Sequence, residues 1–183
     1  MQRGFVVKLI SYTKYDLYGG IIMSRISKEN YYLDIAETVL ERSTCLRRKY
    51  GAIIVHNDEI IATGYNGAPR GRQNCSDLGR CTREELQIPS GQRYELCRSV
   101  HAEANCIISA SRQSMIGSTL YLAGRDAKTG ECLHDTTSCS MCRRQIINAG
   151  IVKVVARIGE GEFTVTNVRD WVFNDDSAPI MPL

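Results

Sequence analysis

The sequence predicts a three-layer α/β domain, in which helices cover both faces of a central sheet. An amphipathic helical pattern, two β-rich runs around a turn dipeptide and a later strand–helix–strand order support this. With 183 residues and 43% hydrophobic composition, the chain suits one domain with a substantial core. We expect that domain over residues 24–183. An N-terminal extension, residues 1–23, precedes it and shows neither helical nor strand periodicity.

A helix and a hairpin come first. Ser27 is a suitable N-cap. The apolar residues after it recur at helical spacing and predict a helix to about Ser43: Tyr32, Ile35, Ala36, Val39 and Leu40. Residues 51–56 and 59–65 flank Asn57-Asp58, which predicts a β-hairpin.

The second half alternates helices and strands around polar segments. Residues 66–98 form a polar insert with three cysteines, which needs something to order it. A helix should start near His101 and bury its apolar residues, Ile108 included. The sequence then predicts a strand at 118–123, a polar connection at 124–137, a helix from Cys139 to Gly150 and a strand at 151–156. This strand–helix–strand order predicts a right-handed parallel crossover. Phe163, Trp171 and Phe173 lie in what we expect to be a fifth strand and a last helix.

Charge and hydropathy narrow the partners. The net charge is +3 without dense Lys/Arg runs, which favours a small phosphorylated ligand over a long nucleic acid. No apolar run approaches the roughly 18 residues of a membrane span, and Lys8 interrupts the N-terminal apolar patch, so we expect a cytoplasmic protein. The 8 cysteines should then be reduced, and Cys-x-x-Cys is typical of metal-binding or redox sites.

Two motifs predict an open, catalytic zinc site. His101-Ala102-Glu103 supplies an imidazole and a carboxylate, and Cys139-Ser140-Met141-Cys142 supplies two sulfurs on one helix face. Three protein ligands leave the fourth zinc position to water, which ionises near neutral pH. Both motifs fall at helix starts, which favours thiolates.

Glu103 is the candidate proton shuttle for hydrolytic deamination by a zinc-bound hydroxide. His-x-Glu with Pro-Cys-x-x-Cys is the zinc deaminase signature, although Ser138 stands here in place of the proline. A serine can still cap the helix. His101 and Glu103 are two positions apart, so they converge only where the helix start is irregular. The alternative is a folding zinc or redox pair at the cysteines and an ordinary histidine.

Further segments carry a family resemblance: Ser43-Thr44-Cys45, Gly51-Ala-Ile-Ile-Val55, Thr63-Gly-Tyr-Asn-Gly67 and Arg98-Ser-Val-His-Ala-Glu-Ala-Asn105. With the metal motif, the chain resembles the zinc-dependent cytidine and deoxycytidylate deaminase superfamily, and within it the deoxycytidylate (dCMP) deaminases. The resemblance implies an α/β/α domain with a mixed sheet of about five strands. It also implies hydrolysis of dCMP to dUMP and ammonia, a homo-oligomer, commonly a hexamer, and regulation by dCTP and dTTP, with Mg²⁺ accompanying the triphosphate.

Site roles follow from the same resemblance. His101, Cys139 and Cys142 would hold the zinc, Glu103 would move protons, and the Ala102 backbone would hold the pyrimidine edge. Asn66 resembles a sugar-binding asparagine, against the alternative of a plain Asn-Gly turn. Tyr121 matches a tyrosine that lies beside the substrate. The alternative is that Tyr121 is an ordinary aromatic residue of a strand. Arg48, Arg70 and Arg72 are candidates for the phosphate, each of which could instead be a surface charge.

Relatives of this type often carry a second, structural zinc in the insert. Four cysteines would close such a site and order the loop: Cys45, Cys75, Cys81 and Cys97. Buried free thiols, or His56 or His134 in place of one cysteine, are the alternatives, while Cys106 and Cys132 are expected to be packing or surface residues. Segment 124–137 departs most from the family pattern and is positioned to overhang the pocket.

Two other functions remain open from the sequence. The first is deamination of a free nucleoside or of adenosine in transfer RNA. Of these two, the RNA substrate would require a more basic surface. The second is a non-catalytic, zinc-stabilised module that binds nucleic acid or protein, for which Glu103 would have no use.

Overall fold

The computed structural model describes residues 25–89 and 91–174, together with three two-residue strands nearer the N-terminus. The predicted extension, residues 1–23, otherwise lies outside the described residues. The strands are β1 (Val6–Val7), β2 (Lys14–Tyr15), β3 (Ile21–Ile22), β4 (Arg48–His56), β5 (Glu59–Tyr65), β6 (Thr119–Asp126), β7 (Lys153–Gly159) and β8 (Glu162–Asn167). The helices are α1 (Lys28–Leu40), α2 (Cys75–Leu78), α3 (Thr82–Glu85), α4 (Ala102–Ile108), α5 (Arg112–Met115), α6 (Ser140–Ala149) and α7 (Val168–Phe173), with a 3₁₀ turn at Tyr94–Leu96.

The central sheet is mixed and has the order β1-β8-β7-β6-β4-β5. Strands β4 and β5 form the predicted antiparallel hairpin, and β6 and β7 are parallel, joined through α6. The predicted mixed sheet of about five strands is confirmed, and β1 adds a two-residue pairing at the β8 edge. Strands β2 and β3 form a separate ribbon.

Each face of the sheet has its own hydrophobic core. On one face α1 packs against the odd-numbered β4 residues Ile53 and Val55. On the other face α4 and α6 pack against the even-numbered residues Ala52 and Ile54. This division follows from the alternation of side chains along a strand, and it produces the predicted three layers.

Two glycines of the hairpin allow the helices to approach closely. A Cβ on Gly51 would lie 2.1 Å from the Ala36 carbonyl oxygen of α1, and a Cβ on Gly64 would lie 2.5 Å from the Ala102 carbonyl oxygen of α4. Both contacts are with backbone, which cannot move aside locally. Gly64 therefore fixes how closely α4, the helix that follows His101, can pack against the sheet.

The helix ends match the predicted capping residues, but the predicted end of α1 and the predicted burial of Ile108 need correction. Ser27 Oγ accepts the Asn30 N–H at 3.2 Å, and α6 stops at Gly150 with a φ of 83°. Helix α1 ends at Leu40, earlier than the predicted Ser43. The prediction that Ile108 is buried is wrong, since its side chain is 75% exposed. Ile108 is two positions from the buried Cys106, and this places it on the opposite side of α4.

The polar insert, residues 66–98, contains three short helical turns and is tied to the domain at its ends. Gly67 and Val100 exchange backbone hydrogen bonds of 3.2 and 2.8 Å, and the Ser76 N–H donates to the Thr44 carbonyl at 3.2 Å. Across the described part of the chain, every helix is too short or too polar to span a bilayer.

Candidate active site

A cavity lies at the start of α4, between β4 and the insert. Its lining includes His101, Ala102, Glu103 and Cys139, together with Asn66. Segment 124–137 contributes Thr137 to the wall. The cavity thus brings together residues that are far apart in the sequence.

Three potential metal ligands converge beside this cavity. The His101 Nδ1 atom lies 3.4 Å from the Sγ atoms of both Cys139 and Cys142, and the three ligand atoms lie within 4.8 Å of one another. Tetrahedral zinc with ordinary Zn–N and Zn–S bonds would hold a nitrogen and a sulfur roughly 3.5 Å apart. The spacing of these side chains therefore fits one zinc ion.

The two cysteine sulfurs interact with each other as well as with His101. The hydrogen bond from the Cys142 thiol lowers the pKa of Cys139, and the same bond raises the pKa of Cys142. Cys139 therefore gives up its proton more readily than Cys142. Metal binding would release the remaining proton, because zinc binds thiolates.

Glu103 lies in the first turn of α4 with a side chain that is 5% exposed. Desolvation by burial raises its pKa, and its own backbone N–H and the nearby His101 oppose this shift. A carboxyl group with a raised pKa can both accept and return a proton near neutral pH. This is the property expected of a proton shuttle.

The two substrate-side candidates next to the metal group are both buried in the cavity wall. Ala102 is fully buried at the start of α4. Asn66 is 6% exposed, and its Oδ1 accepts from Ser43 Oγ at 2.6 Å and from the Tyr50 N–H at 2.7 Å. Its Nδ2 donates to the Arg48 carbonyl at 2.9 Å. Asn66 therefore ties the end of β5 to β4 and to Ser43, and one N–H of its amide remains beyond these bonds.

Tyr121 and two of the predicted arginines do not line the cavity. Tyr121 lies on the α1 face of the sheet, where its ring packs on Tyr32 with centroids 5.0 Å apart. Arg70 and Arg72 are exposed in the insert, whereas Arg48 lines the cavity. Because Tyr121 lies on the face of the sheet away from the cavity, its position fits the alternative of an ordinary strand aromatic.

Sequence reasoning missed several residues of the insert that line the cavity. Arg83, Tyr94 and Arg98 all contribute to its wall. Arg83 is 7% exposed, which is unusual for an arginine. The insert has no apolar periodicity, so no sequence signal separated its buried residues from its exposed ones.

The four cysteines of the predicted second zinc site all line the same cavity: Cys45, Cys75, Cys81 and Cys97. Burial raises the pKa of the Cys75 thiol, and the other three sulfurs raise it further. Among the described residues, the group in which three ligand atoms lie within 4.8 Å of one another is His101, Cys139 and Cys142. His56 and His134, the alternative ligands, lie outside the cavity lining.

The remaining cysteines are separate from the cavity. The buried Cys106 thiol donates to the Ala52 carbonyl at 3.6 Å, and Cys132 is partly exposed. The expected capping role of Ser138 is wrong, because Cys139 occupies the N-cap of α6. The Ser138 hydroxyl is buried and has no hydrogen-bond partner within the described chain.

A sheet with helices on both faces and a His/Cys/Cys group beside a buried glutamate define a zinc-binding hydrolase domain. Residues 26–158 match the family model described as the cytidine and deoxycytidylate deaminase zinc-binding region. The chain belongs to this family, as the sequence motifs predicted.

Similar proteins include three named deoxycytidylate deaminase. That of Mycobacterium phage D29 is 36% identical over 137 residues, which cover 73% of this chain and 96% of the phage protein. That of Schizosaccharomyces pombe is 32% identical over 131 residues, covering 72% of this chain and 37% of the relative. That of Saccharomyces cerevisiae is 31% identical over 169 residues, covering 87% and 49%. The chain thus spans half or less of the yeast proteins.

The fold is similar to that of a solved dCMP deaminase from the cyanophage S-TIM5. The apo structure of that enzyme has a TM-score of 0.51 and 28% identity, covering 73% of this chain and 85% of the phage chain. A second structure of the same enzyme, in complex with dCMP and dUMP, has a TM-score of 0.50 and 28% identity, covering 73% and 84%.

Proposed function

We propose that the protein hydrolyses dCMP to dUMP and ammonia. The observation that carries this proposal is the buried Glu103 carboxyl beside the converging His101, Cys139 and Cys142 side chains. Family membership and relatives named deoxycytidylate deaminase support the same reaction. The reaction adds water at C4 of the cytosine and expels the 4-amino group.

His101, Cys139 and Cys142 are the proposed zinc ligands, and zinc supplies Lewis-acid activation of water when it is bound. Two thiolates and a neutral imidazole balance the charge of Zn²⁺, so these ligands do not oppose ionisation of water. Glu103 takes one proton from the attacking water and gives it to ring nitrogen N3, then takes the second proton from the C4 hydroxyl and gives it to the departing amine. Burial of Glu103 keeps bulk water from exchanging these protons.

The rest of the cavity supplies contacts for a nucleotide. Four arginines line it, and their charge suits a phosphate group: Arg47, Arg48, Arg83 and Arg98. Arg48 lies in β4, and its Nη1 is 3.2 Å from Asp135, from which it can turn to an anion. The free N–H of Asn66 would reach the sugar, and the Ala102 backbone would hold the pyrimidine edge.

A second, structural zinc in the insert is part of the proposal. Cys45, Cys75, Cys81 and Cys97 all line the cavity, and the other three sulfurs raise the pKa of Cys75. A closing of these sulfurs around one ion would order an insert that has few apolar side chains. The hexamer, the dCTP and dTTP effectors, the Mg²⁺ that would accompany them and the cytoplasmic location stay predictions from the sequence.

The test is an ammonia-release screen of the purified zinc protein over dCMP, CMP, deoxycytidine, cytidine and adenosine, with and without dCTP. We expect dCMP to give the highest kcat/KM. Arg48→Ala should raise KM for dCMP about tenfold, the equivalent of about 1.4 kcal/mol, and leave deoxycytidine unaffected. Arg70→Ala is the matched control outside the cavity. Preference for a free nucleoside or for adenosine would contradict the proposed substrate.

A further inference from the structure

Two residues of the insert form a stack against the proposed metal ligand His101. The Tyr94 ring meets the His101 ring edge-on, with centroids 4.8 Å apart and an angle of 85° between the planes. The Arg83 guanidinium also lies over the Tyr94 ring, with Cζ 4.7 Å from the centroid. The three side chains thus make a continuous series from the insert to the imidazole.

Arg83 is the fixed end of this series. Its Nη2 donates to the Pro89 carbonyl at 2.8 Å and to the Gln92 carbonyl at 2.7 Å, which holds the guanidinium plane in place. A buried cation is unfavourable unless its surroundings compensate the lost hydration. These carbonyls and the face of the Tyr94 ring compensate the guanidinium in part, while its Nε atom is buried without a hydrogen-bond partner within the described chain.

Backbone geometry also directs Tyr94. The preceding residue, Arg93, has a φ of 50°, in the left-handed region that L side chains rarely adopt. Such a conformation costs about 1–3 kcal/mol and persists only where the surrounding structure favours it. The turn that begins at Arg93 places Tyr94 against His101 and ends beside Cys97.

Both residues of the stack are close in sequence to the insert cysteines. Arg83 lies two residues after Cys81, the N-cap of α3, and Tyr94 lies three residues before Cys97. The ring contacts with His101 thus come from the same stretch of chain that carries these cysteines, and residues of both groups line one cavity.

We propose that Tyr94 is a positioning residue for His101 and that Arg83 holds Tyr94 in place. The inference rests on the proposed function, because it concerns the imidazole that would bind the metal. Groups that orient a metal-binding histidine typically change metal affinity or activity by about 10–100-fold. Here the orienting group is an aromatic ring in T-shaped contact with the imidazole, so bulk and aromaticity at position 94 should matter more than the hydroxyl.

The experiment compares Tyr94→Phe, Tyr94→Leu and Tyr94→Ala in the full chain. Metal retention is measured as the rate of zinc loss to a chelator, and ligand geometry as the visible absorption of the cobalt-substituted protein. We expect Tyr94→Phe to retain zinc within about threefold of the parent. Tyr94→Leu and Tyr94→Ala should lose zinc at least about tenfold faster and show altered cobalt absorption. Tyr94→Leu keeps most of the side-chain volume and guards against unfolding.

Tyr31→Ala is the matched control, because Tyr31 makes a similar edge contact with Tyr32, at 5.1 Å, on the face of the sheet away from the cavity. Parent-like zinc loss and cobalt absorption in Tyr94→Leu would overturn the proposal, as would equal losses in Tyr94→Phe. A parent that binds cobalt but does not deaminate dCMP would contradict the proposed substrate and leave the Tyr94 comparison decisive. A parent that binds no metal would overturn both.

Discussion

His101 and Glu103 line the same cavity although they are two positions apart in sequence. His101 is the N-cap of α4, with extended backbone angles of −70° and 155°, while Glu103 belongs to the first helical turn. On a continuous helix these side chains would point in different directions. The change of backbone conformation between them would let His101 bind the proposed metal while Glu103 stays free for the proposed proton transfer.

Replacing Asn66 should destabilise the protein as well as weaken substrate binding. Its amide makes three hydrogen bonds with Ser43, Tyr50 and Arg48. At about 1 kcal/mol each, Asn66→Ala should lower the free energy of unfolding by about 2–3 kcal/mol, measured by urea denaturation. The exposed Asn148→Ala is the control. An unchanged unfolding free energy would show that Asn66 serves only the substrate.

A methyl group at Gly64 should disturb the metal site through α4. Gly64→Ala places Cβ against the backbone of Ala102 and Cys106, so the helix that follows His101 must shift. We expect faster zinc loss to a chelator together with lower stability. Gly51→Ala is the matched control, because its Cβ meets α1 on the other face of the sheet. It should lower stability but preserve zinc retention in the folded protein, and equal zinc loss in both variants would contradict this account.

Tyr121→Phe should change the alkaline stability of the protein rather than its turnover. Burial raises the pKa of Tyr121 to about 12. The unfolded state therefore ionises first, and the stability present below about pH 10 is lost as the pH rises toward 12. Urea denaturation should show a loss of up to about 1.4 kcal/mol per pH unit in this range that is absent in Tyr121→Phe. A tenfold rise in KM for dCMP in this variant would instead place the ring at the substrate.

Metal content should distinguish the two proposed zinc sites. We expect about two zinc ions per chain by elemental analysis, since a closed site binds one and the open site a second. Cys75→Ser should remove one ion and loosen the insert, while Cys106→Ser, which affects a buried thiol outside the cavity, should remove none. One zinc per parent chain would eliminate the second site.

The sequence predicted the layers, the hairpin and the parallel crossover because each rests on local periodicity and capping. Ser27 and Gly150 mark helix ends through their own backbone chemistry. The candidate metal ligands His101, Cys139 and Cys142 were predictable because His-x-Glu and Cys-x-x-Cys are short motifs with fixed spacing, each at the start of a helix. None of these inferences required knowledge of distant contacts.

Contacts formed across the fold were harder to predict. The alternation of side chains along β6 does not say which face of the sheet Tyr121 occupies. The packing of α1 shows that this face lies away from the cavity. Arg83 and Tyr94 lie in an insert without periodicity, and their contact with His101 depends on how that insert folds back. Ile108 resembled a core residue because it is apolar and follows Ile107, but it lies on the opposite side of α4 from the buried Cys106.

The most direct test of the central claim is the activity and zinc content of Glu103→Gln measured on the same sample. We expect dCMP deamination to fall by about 10²–10⁴-fold or more, because the amide cannot transfer the proton, while zinc content stays at the parent level. Glu160→Gln, at an exposed position, should match the parent in both measurements. Parent-like ammonia release by Glu103→Gln with zinc fully bound would contradict the role of Glu103 as the proton shuttle.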